Sequence, residues 1–227
     1  MSILIAIDGV DASGKETQTR LLCEHLRAQG KQVRRLSFPN YESESSSLVR
    51  QYLRGDFGDS AQSVNAYAAS MFFAADRFGT FRQDWEKDYR REDMILIADR
   101  YVSSNMIHQA GKISDAAEKE AFLEWLEDFE YQKLELPRPD KTIFLDMPPE
   151  YAAILMKSRA NKIDGSQTKD IHEKDSAYLQ KSYENACFVA EKYGWHRIIC
   201  AGGGSIKTVE DIQGEIREAV IELTASV

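Results

Sequence analysis

The sequence predicts an α/β protein in which a five-stranded parallel sheet lies between two layers of helices. Short apolar runs alternate with longer amphipathic stretches along the whole chain. Most of the short runs are apolar on both faces, as in strands buried inside a parallel sheet. This alternation favours a doubly wound sheet with right-handed crossovers, so we expect ligands beyond the carboxyl ends of the strands.

The individual elements follow from this pattern in order along the chain. Strands are predicted at residues 3–8, 32–38, 94–99, 142–147 and 197–200. A first helix is predicted from the spacing of Leu21, Leu22 and Leu26, and it ends near Gly30, a typical C-terminal cap. Longer helices are predicted at residues 66–85, 118–131, 151–159, 176–193 and 209–223. The polar segment at about 160–173 interrupts the pattern, and we expect it to form a flexible lid.

The composition is that of a globular protein, and 227 residues suit a single domain over 1–227. A formal net charge of −8 argues against a broad nucleic-acid-binding surface, which is normally basic. The cysteines, Cys23, Cys187 and Cys200, lack the spacing of metal or disulfide sites, and the first apolar run is too short for a signal peptide or a membrane span. We therefore expect a cytoplasmic protein with reduced thiols and no nucleic-acid or membrane partner.

The strongest motif lies between the first predicted strand and the first predicted helix. Its glycines allow backbone N–H groups to point inward at phosphate oxygens, and the helix N-terminus adds partial positive charge. Lys15 supplies a full charge to the outer phosphates. This pattern predicts a P-loop NTPase fold, with ATP bound by Gly9, Val10, Asp11, Ala12, Ser13, Gly14, Lys15, Glu16 and Thr17.

The residue after the P-loop lysine departs from the usual pattern. Ser or Thr normally stands there and helps to hold Mg²⁺, but this chain has Glu16, with Thr17 one position later. In this the loop resembles those of adenylate-kinase-like enzymes, where another residue also separates lysine from threonine. The ligands of Mg²⁺ therefore stay open at this point, with Thr17, Asp11 and Asp99 as the candidates.

Three further segments are expected at strand ends or on a helix that faces the P-loop. They are Phe38-Pro39-Asn40-Tyr41, Phe73 to Arg77, and Asp99-Arg100-Tyr101 with the following residues to Gln109. With these motifs, and with Pro137-Arg138-Pro139-Asp140 before the fourth strand, the chain resembles the thymidylate kinase family. The resemblance implies Mg²⁺-dependent transfer of the ATP γ-phosphate to dTMP, without a covalent enzyme intermediate, by a homodimer.

The resemblance also implies an acceptor site. Phe73 would stack on the pyrimidine, Arg77 would donate to the base O4, and Asn105 would serve the same base edge. The base and sugar would be bordered by Ser104 and His108. The whole set implied for dTMP is Asp11, Phe38, Pro39, Tyr41, Phe73, Arg77, Arg100, Ser104, Asn105 and His108.

The phosphate end of this site follows from the same resemblance. Arg100 would clamp the 5′-phosphate with help from Tyr41, and Asp11 would meet the 3′-hydroxyl or a metal-bound water. Four of the candidate residues have a structural alternative. Phe73 could be a core aromatic, Arg77 a surface arginine paired with Asp76 or Asp84, His108 a structural histidine, and Asp99 a cap of the next helix.

The chain also departs from the family pattern in the residues that could supply positive charge during phosphoryl transfer. Some thymidylate kinases carry an arginine in the glycine loop, where this chain has Ala12. Others supply the charge from the lid, for which Arg159 is our first choice, Lys162 the second and Lys169 a further candidate. The predicted catalytic set is therefore Lys15, Arg100, Asp11, Arg159 and Lys162. The alternative for the lid is a merely solvated basic loop.

The adenine is expected near the glycine-rich loop at residues 201–205, which could instead be an ordinary turn. Two other functions stay open. The chain could phosphorylate another nucleotide or deoxynucleoside, or it could be a nucleotide-binding protein that has lost catalysis, as Glu16 and Ala12 would allow.

Overall fold

The computed structural model describes residues 2–156 and 176–225, and within them a parallel sheet forms the centre. The sheet has five strands in the order β2-β3-β1-β4-β5. The strands are β1 (Ile3–Asp8), β2 (Gln32–Ser37), β3 (Met94–Asp99), β4 (Lys141–Asp146) and β5 (His196–Ile199). The predicted sheet is confirmed. Residue 38 falls outside β2, and β4 and β5 each begin one residue earlier than predicted.

The two central strands are buried on both faces, which explains why their sequences are apolar throughout. In β1, Leu4 and Ala6 face one hydrophobic core, whereas Ile5 and Ile7 face another. This alternation is the two-residue period of a β-strand. The register of β1 with β3 pairs Ile7 with Asp99, so both strands end at the same edge of the sheet.

Helices cover both faces. They are α1 (Lys15–Ala28), α2 (Ser47–Arg54), α3 (Ala66–Thr80), α4 (Glu86–Tyr89), α5 (Val102–His108), α6 (Ala116–Glu127), α7 (Pro149–Met156), α8 (Ser176–Lys192) and α9 (Val209–Ala225). Leu22 of α1 and Ile216 of α9 pack in the core with Ile5 and Ile7. On the opposite face, Phe122 of α6 and Val189 of α8 pack with Leu4.

Two long helices differ from their predicted form. The predicted helix 66–85 is α-helical only through α3, and a π-helical turn at Phe81–Trp85 joins it to α4. The predicted helix 118–131 is α6 followed by a π-helical segment at Asp128–Lys133. A π-helix bonds residue i to i+5 and so accommodates an extra residue, a feature often found at functional sites.

Some elements lay beyond the sequence pattern. Helix α2 and a short hairpin of β6 (Ala201–Gly202) and β7 (Ser205–Ile206) were not predicted. Helix α7 is described only to Met156, and the predicted lid at 160–173, with Arg159, Lys162 and Lys169, lies outside the described residues.

The three cysteines are free thiols, as predicted. Among the helices in the described ranges, none is both long and apolar enough to cross a membrane.

Candidate active site

The P-loop connects the end of β1 with the start of α1. Gly9 has a φ of 155°, and a Cβ at this position would lie 2.7 Å from the carbonyl oxygen of Leu145, so a larger residue does not fit. Ala12 and Gly14 are left-handed, with φ angles of 58° and 88°. Alternation of left- and right-handed residues creates concave anion-binding backbone. The loop therefore has the geometry expected of a phosphate cradle.

Lys15 is folded back onto this loop. Its Nζ donates to the carbonyl oxygens of Gly9 at 2.9 Å and Val10 at 2.7 Å, and its side chain is almost fully buried. Burial, with a further contribution from the charge of Arg100, lowers the pKa of Lys15 to about 7. A phosphate beside the ammonium would oppose both effects. Lys15 is thus placed where an anion would strongly favour its charged form.

A donor cavity of about 500 Å³ opens beside the P-loop, a volume typical of small-molecule sites. Its polar wall is the loop itself, from Ala12 to Gln18, with Asp99 and Arg100. Leu155 of α7 and Val209 of α9 belong to its apolar wall. The adenine loop predicted at 201–205 lies in the β6–β7 hairpin, but none of these residues lines the cavity. The lining begins with Ile206, the last residue of the hairpin, and continues through Val209.

An acceptor cavity lies on the other side of Arg100. The structure brings together in its wall every residue predicted for the acceptor: Asp11, Phe38, Pro39, Tyr41, Phe73, Arg77, Arg100, Ser104, Asn105 and His108. Leu53 and Gln109 also line it. The cavity measures only about 70 Å³, well below the range of ~300–1,000 Å³ usual for ligand sites. A ligand of ordinary small-molecule size would therefore require side chains in this wall to move.

Arg77 lies at the inner end of the acceptor cavity. The alternative of a surface arginine is wrong, because Arg77 is only 1% exposed. Its Nε and Nη2 donate to the Glu130 carboxylate at 2.6 and 2.5 Å, and its Nη1 donates to the Tyr101 carbonyl at 3.3 Å. Burial opposes the charged form, but the carboxylate of Glu130 outweighs this and raises the pKa of Arg77 above its usual value.

The two carboxylates nearest to Arg77 in the surface-arginine alternative, Asp76 and Asp84, have other partners. Asp76 accepts from the backbone N–H of Asn40 at 2.8 Å, and Asp84 forms an ion pair with Arg34. Phe73 packs edge-on against Tyr52 with ring centroids 6.2 Å apart, while it also lines the cavity. Phe73 thus belongs to a small apolar cluster and to the wall of the site.

Arg100 separates the two cavities and lines both of them. Its backbone is left-handed, with a φ of 68°, and its N–H donates to the Ile7 carbonyl at 3.1 Å. Such a conformation is strained for a residue with a side chain, and it is often retained at functional sites. Arg100, the residue that follows β3, therefore places its positive charge between the two cavities.

The Arg100 side chain is held by two groups. It forms an ion pair with Asp11, and its Nη1 lies 3.2 Å from Nε2 of His108. Because a guanidinium only donates, Nε2 of His108 must accept, which places the proton of a neutral His108 on Nδ1. Burial disfavours the charge of Arg100, yet the nearby carboxylates, Asp11 foremost, raise the pKa of Arg100 above its usual value.

Asp8 joins the P-loop to helix α5. Its fully buried carboxylate accepts from Ser103 Oγ at 2.6 Å, from Ser104 Oγ at 2.8 Å and from the Gly9 N–H at 2.8 Å. The Ser104 hydroxyl is therefore bonded to Asp8, although its side chain lines the acceptor cavity. Through these bonds the base of the P-loop and the helix that carries Asn105 and His108 are held as one unit.

The oxygen ligands available to a metal lie around the donor cavity. Asp99 and Thr17 both line it, and Asp99 receives a contact of 3.4 Å from Nη2 of Arg35. Mg²⁺ takes one or two carboxylates together with phosphate oxygens, so this donor set fits it. The alternative that Asp99 caps α5 is wrong, because the N-cap position is Tyr101 and no side chain caps it.

Glu16 belongs to the wall of the donor cavity but is largely exposed to solvent. Its side chain is 54% exposed, and its Oε1 lies 3.9 Å from Nη2 of Arg35 on β2. The Glu16 carboxylate, which stands where a P-loop usually has Ser or Thr, is therefore well solvated and lies near a neighbouring cation.

Several residues of the site were missed by sequence reasoning. Gln109 is buried, its Oε1 has no hydrogen-bond partner among the described residues, and it lies one helical turn after Asn105. That spacing is a signal which could have identified it. Glu130 gave no signal, because it is far from Arg77 in sequence and reaches it from a π-helical segment. The sequence pattern placed Asp8 at the end of a predicted strand and indicated no role for its carboxylate in the site.

A parallel sheet, a P-loop and two cavities that share one arginine define the class of P-loop nucleotide kinases. The sequence model of the family described as thymidylate kinase matches residues 7–212 of the chain. The chain therefore belongs to the thymidylate kinase family.

Relatives support this assignment over most of the chain. It is 34% identical to thymidylate kinase of Mycobacterium tuberculosis, with 79% of this chain and 82% of the relative covered. It is 30% identical to a probable thymidylate kinase of Thermococcus onnurineus, with 94% and 95% covered. A solved structure of thymidylate kinase from Candida albicans superimposes with a TM-score of 0.72 over 100% of this chain and 94% of that chain, at 21% identity, and shows the same fold.

Proposed function

We propose that this chain transfers the γ-phosphate of ATP to dTMP and releases ADP and dTDP, by the residues described above. Family membership makes it a nucleotide kinase that phosphorylates dTMP. The observation that carries the assignment of residues is that Arg100 lines both cavities. One cation can thus act on the donor and the acceptor phosphates, which otherwise repel each other.

On the donor side, the loop amides and Lys15 bind the phosphates of ATP. Thr17 and Asp99 would hold Mg²⁺, with Asp11 as a further candidate, and when bound the ion neutralises charge on the phosphates. Adenine rests against the apolar wall near Val209 and Leu155. The wide donor cavity agrees with a bulky nucleoside triphosphate.

On the acceptor side, the pyrimidine stacks on Phe73 and its O4 accepts from Arg77. Asn105 and Gln109 serve the remaining polar edge of the base, which would give Gln109 the partner that it lacks among the described residues. Tyr41 and Arg100 bind the 5′-phosphate. Phe38, Pro39, Ser104 and His108 shape the rest of the wall.

During transfer the acceptor phosphate is itself the nucleophile, so no serine or cysteine is needed. Arg100 exchanges its contact with Asp11 for the phosphates, and Asp11 binds the 3′-hydroxyl or a metal-bound water. Catalysis consists of alignment and of charge neutralisation at the moving phosphoryl group. Arg159 and Lys162 are proposed to add positive charge from the lid.

Steady-state turnover tests this function directly. ADP release should be fastest with dTMP, close behind with dUMP, and far slower with dCMP or GMP, and Lys15→Ala should abolish it. Preference for dCMP or GMP would overturn the substrate, and absence of turnover with all four would favour an impaired nucleotide-binding protein. The family match does not favour either alternative.

We also propose one domain over 1–227, a homodimer and a cytoplasmic location without nucleic-acid partners. Met71 and Phe78 are 52% and 38% exposed and lie two turns apart on α3, which supports a contact between copies there. The net charge of −8 supports the absence of nucleic acid. Sedimentation of the protein and of Met71→Glu, compared with Ile221→Glu at an exposed position of α9, tests the dimer. A wild-type monomer at micromolar concentration would contradict it.

A further inference from the structure

Glu130 is a buried carboxylate that the transfer reaction does not use. It lies on the π-helical segment Asp128–Lys133 and is 0% exposed. A charged carboxylate in such a place is expensive unless it is paired and fully hydrogen-bonded. Its partners therefore indicate why it is there, and all of its described side-chain contacts go to residues in the wall of the acceptor cavity.

The first partner is Arg77. The Glu130 carboxylate occupies the fork formed by Nε and Nη2, while the Tyr101 carbonyl accepts from Nη1. A guanidinium has five N–H groups, so these contacts use three and leave one each on Nη1 and Nη2. Because Glu130 also neutralises the charge, Arg77 can offer hydrogen-bond donors to a ligand without a net positive field. A neutral carbonyl oxygen is the group that such a donor suits.

The second partner is Asn105. Its Nδ2 donates to Glu130 Oε1 at 3.2 Å and to the Ser70 carbonyl at 3.3 Å. These two acceptors use both N–H groups of the amide, so Oδ1 is the atom of Asn105 left for a ligand. An ionised carboxylate cannot donate, which means that the opposite orientation of this amide would face acceptor against acceptor.

We propose that Glu130 is a positioning residue that fixes the hydrogen-bond polarity of the acceptor cavity, with Arg77 as donor and Asn105 as acceptor. The uracil and thymine rings present a carbonyl acceptor at O4 beside an N3–H donor, and this pattern complements the cavity. Cytosine presents an amine beside an unprotonated N3, which is the reverse. The proposal rests on the proposed function and deepens it, since it names the group that separates 4-oxo from 4-amino pyrimidine nucleotides.

Glu130→Gln tests the proposal. It keeps the shape but replaces one acceptor oxygen with an NH₂ group, so at least one of the converging donors loses its acceptor. We expect the ratio of kcat/KM for dTMP over dCMP to fall about tenfold or more, with most of the change in KM for dTMP. Glu130→Asp, which keeps the charge, should retain more of the ratio.

The matched control is Glu127→Gln. Glu127 lies one turn earlier and pairs with Arg138 at 2.6 Å near the surface, away from the acceptor cavity. The Glu127→Gln variant should have the same ratio of kcat/KM for dTMP over dCMP as the wild type. A folded Glu130→Gln protein with unchanged selectivity, or one that loses activity equally with every acceptor, would overturn the positioning role.

A measurement on the wild type covers the case in which the Glu130 variants do not fold. The side-chain amide protons of Asn105 should be protected from solvent exchange before dTMP is added and should stay so afterwards. Protection that arises only with dTMP would show that Nδ2 faces the ligand and would refute the proposal. Wild-type protein that does not turn over dTMP would refute the proposed function. Normal turnover of dTMP, together with unchanged selectivity in Glu130→Gln or with ligand-dependent protection of Asn105, would refute only the role of Glu130.

Discussion

The donor and acceptor cavities lie on either side of Arg100 and are built in different ways. The donor cavity is wide, about 500 Å³, and most of its polar wall is the continuous stretch from Ala12 to Gln18, to which Asp99 and Arg100 are added. The acceptor cavity is narrow, about 70 Å³, and is assembled from side chains of the P-loop, α2, α3, α5 and the segment after β2. In the proposed function, backbone of the P-loop would bind a triphosphate, a group common to many nucleotides, whereas paired side chains would select one base.

This difference predicts where each kind of change acts. Damage to the shared arginine should affect both substrates, damage to the buried Arg77 should affect the acceptor alone, and changes at the rim of the donor loop should have little effect. Each expectation can be checked by separate KM values for ATP and dTMP.

The largest effect is expected for Arg100→Ala. It removes the cation that lines both cavities, and a single arginine contributes roughly 10³–10⁵ in the rate of phosphoryl transfer. We expect kcat/KM to fall at least about a thousandfold for each substrate. The control is Arg20→Ala, since Arg20 forms an exposed pair with Glu24 on α1. A loss of less than tenfold would show that the cavities do not share this charge.

The next effect is expected for Arg77→Gln. This change leaves Glu130 buried without its cation and removes the donor to O4, so KM for dTMP should rise about a hundredfold or more. KM for ATP should change little, because Arg77 does not line the donor cavity. Circular dichroism and thermal unfolding would establish that the variant is folded. Equal changes in both KM values would mean that the two sites are not separable in this way.

A smaller effect is expected from pH on the donor side. Burial, with the charge of Arg100, lowers the pKa of Lys15 to about 7 in the free protein, and bound phosphate should raise it. Above pH 7 the free protein loses this proton and ATP binding must restore it, so affinity should fall by up to about tenfold per pH unit. Calorimetry in buffers of different ionisation enthalpy would detect the proton uptake. Constant ATP affinity from pH 7 to 9 would contradict the expectation.

The smallest effect is expected for Glu16→Ser, which restores the usual residue after the lysine. The Glu16 side chain is 54% exposed and its contact with Arg35 is 3.9 Å long, so its loss should alter kcat by no more than about threefold. Titration of activity with Mg²⁺ should give the same midpoint as in the wild type. A clear shift of that midpoint would instead identify Glu16 as part of the metal site.

The sequence was sufficient where function depends on local pattern. The apolar runs identified β1 to β5, and the glycine loop and Lys15 identified the donor side, because strand, loop and helix are adjacent in the chain. The motifs around Phe73 and Arg100 predicted the residues that meet in the acceptor cavity. Their roles in binding stay a prediction.

The sequence was insufficient where contacts join distant segments. The structural alternative for Arg77 paired it with Asp76 or Asp84, which are near in sequence, but the carboxylate that it pairs with is the distant Glu130. No periodicity reveals a π-helical turn, and the ordinary helical spacing over 118–131 hid it. Helix α2 buries Val49, Tyr52 and Leu53 at helical spacing, but it is only eight residues long and this short signal was missed. The β6–β7 hairpin has two residues in each strand, too few to show an apolar period.

The π-helical segment that carries Glu130 has a consequence for how such a protein can vary. A π-turn holds one more residue than an α-turn, and the surplus stays within that turn. Phe122, Leu123 and Leu126 of α6 keep their buried faces on one side of it, and Leu136 stays buried on the other. The gain or loss of one residue here would first displace Glu130 from Arg77 and Asn105, since the buried residues of α6 and Leu136 lie outside this turn. The proposed positioning of the acceptor site therefore depends on the π-helical turn as well as on the identity of residue 130.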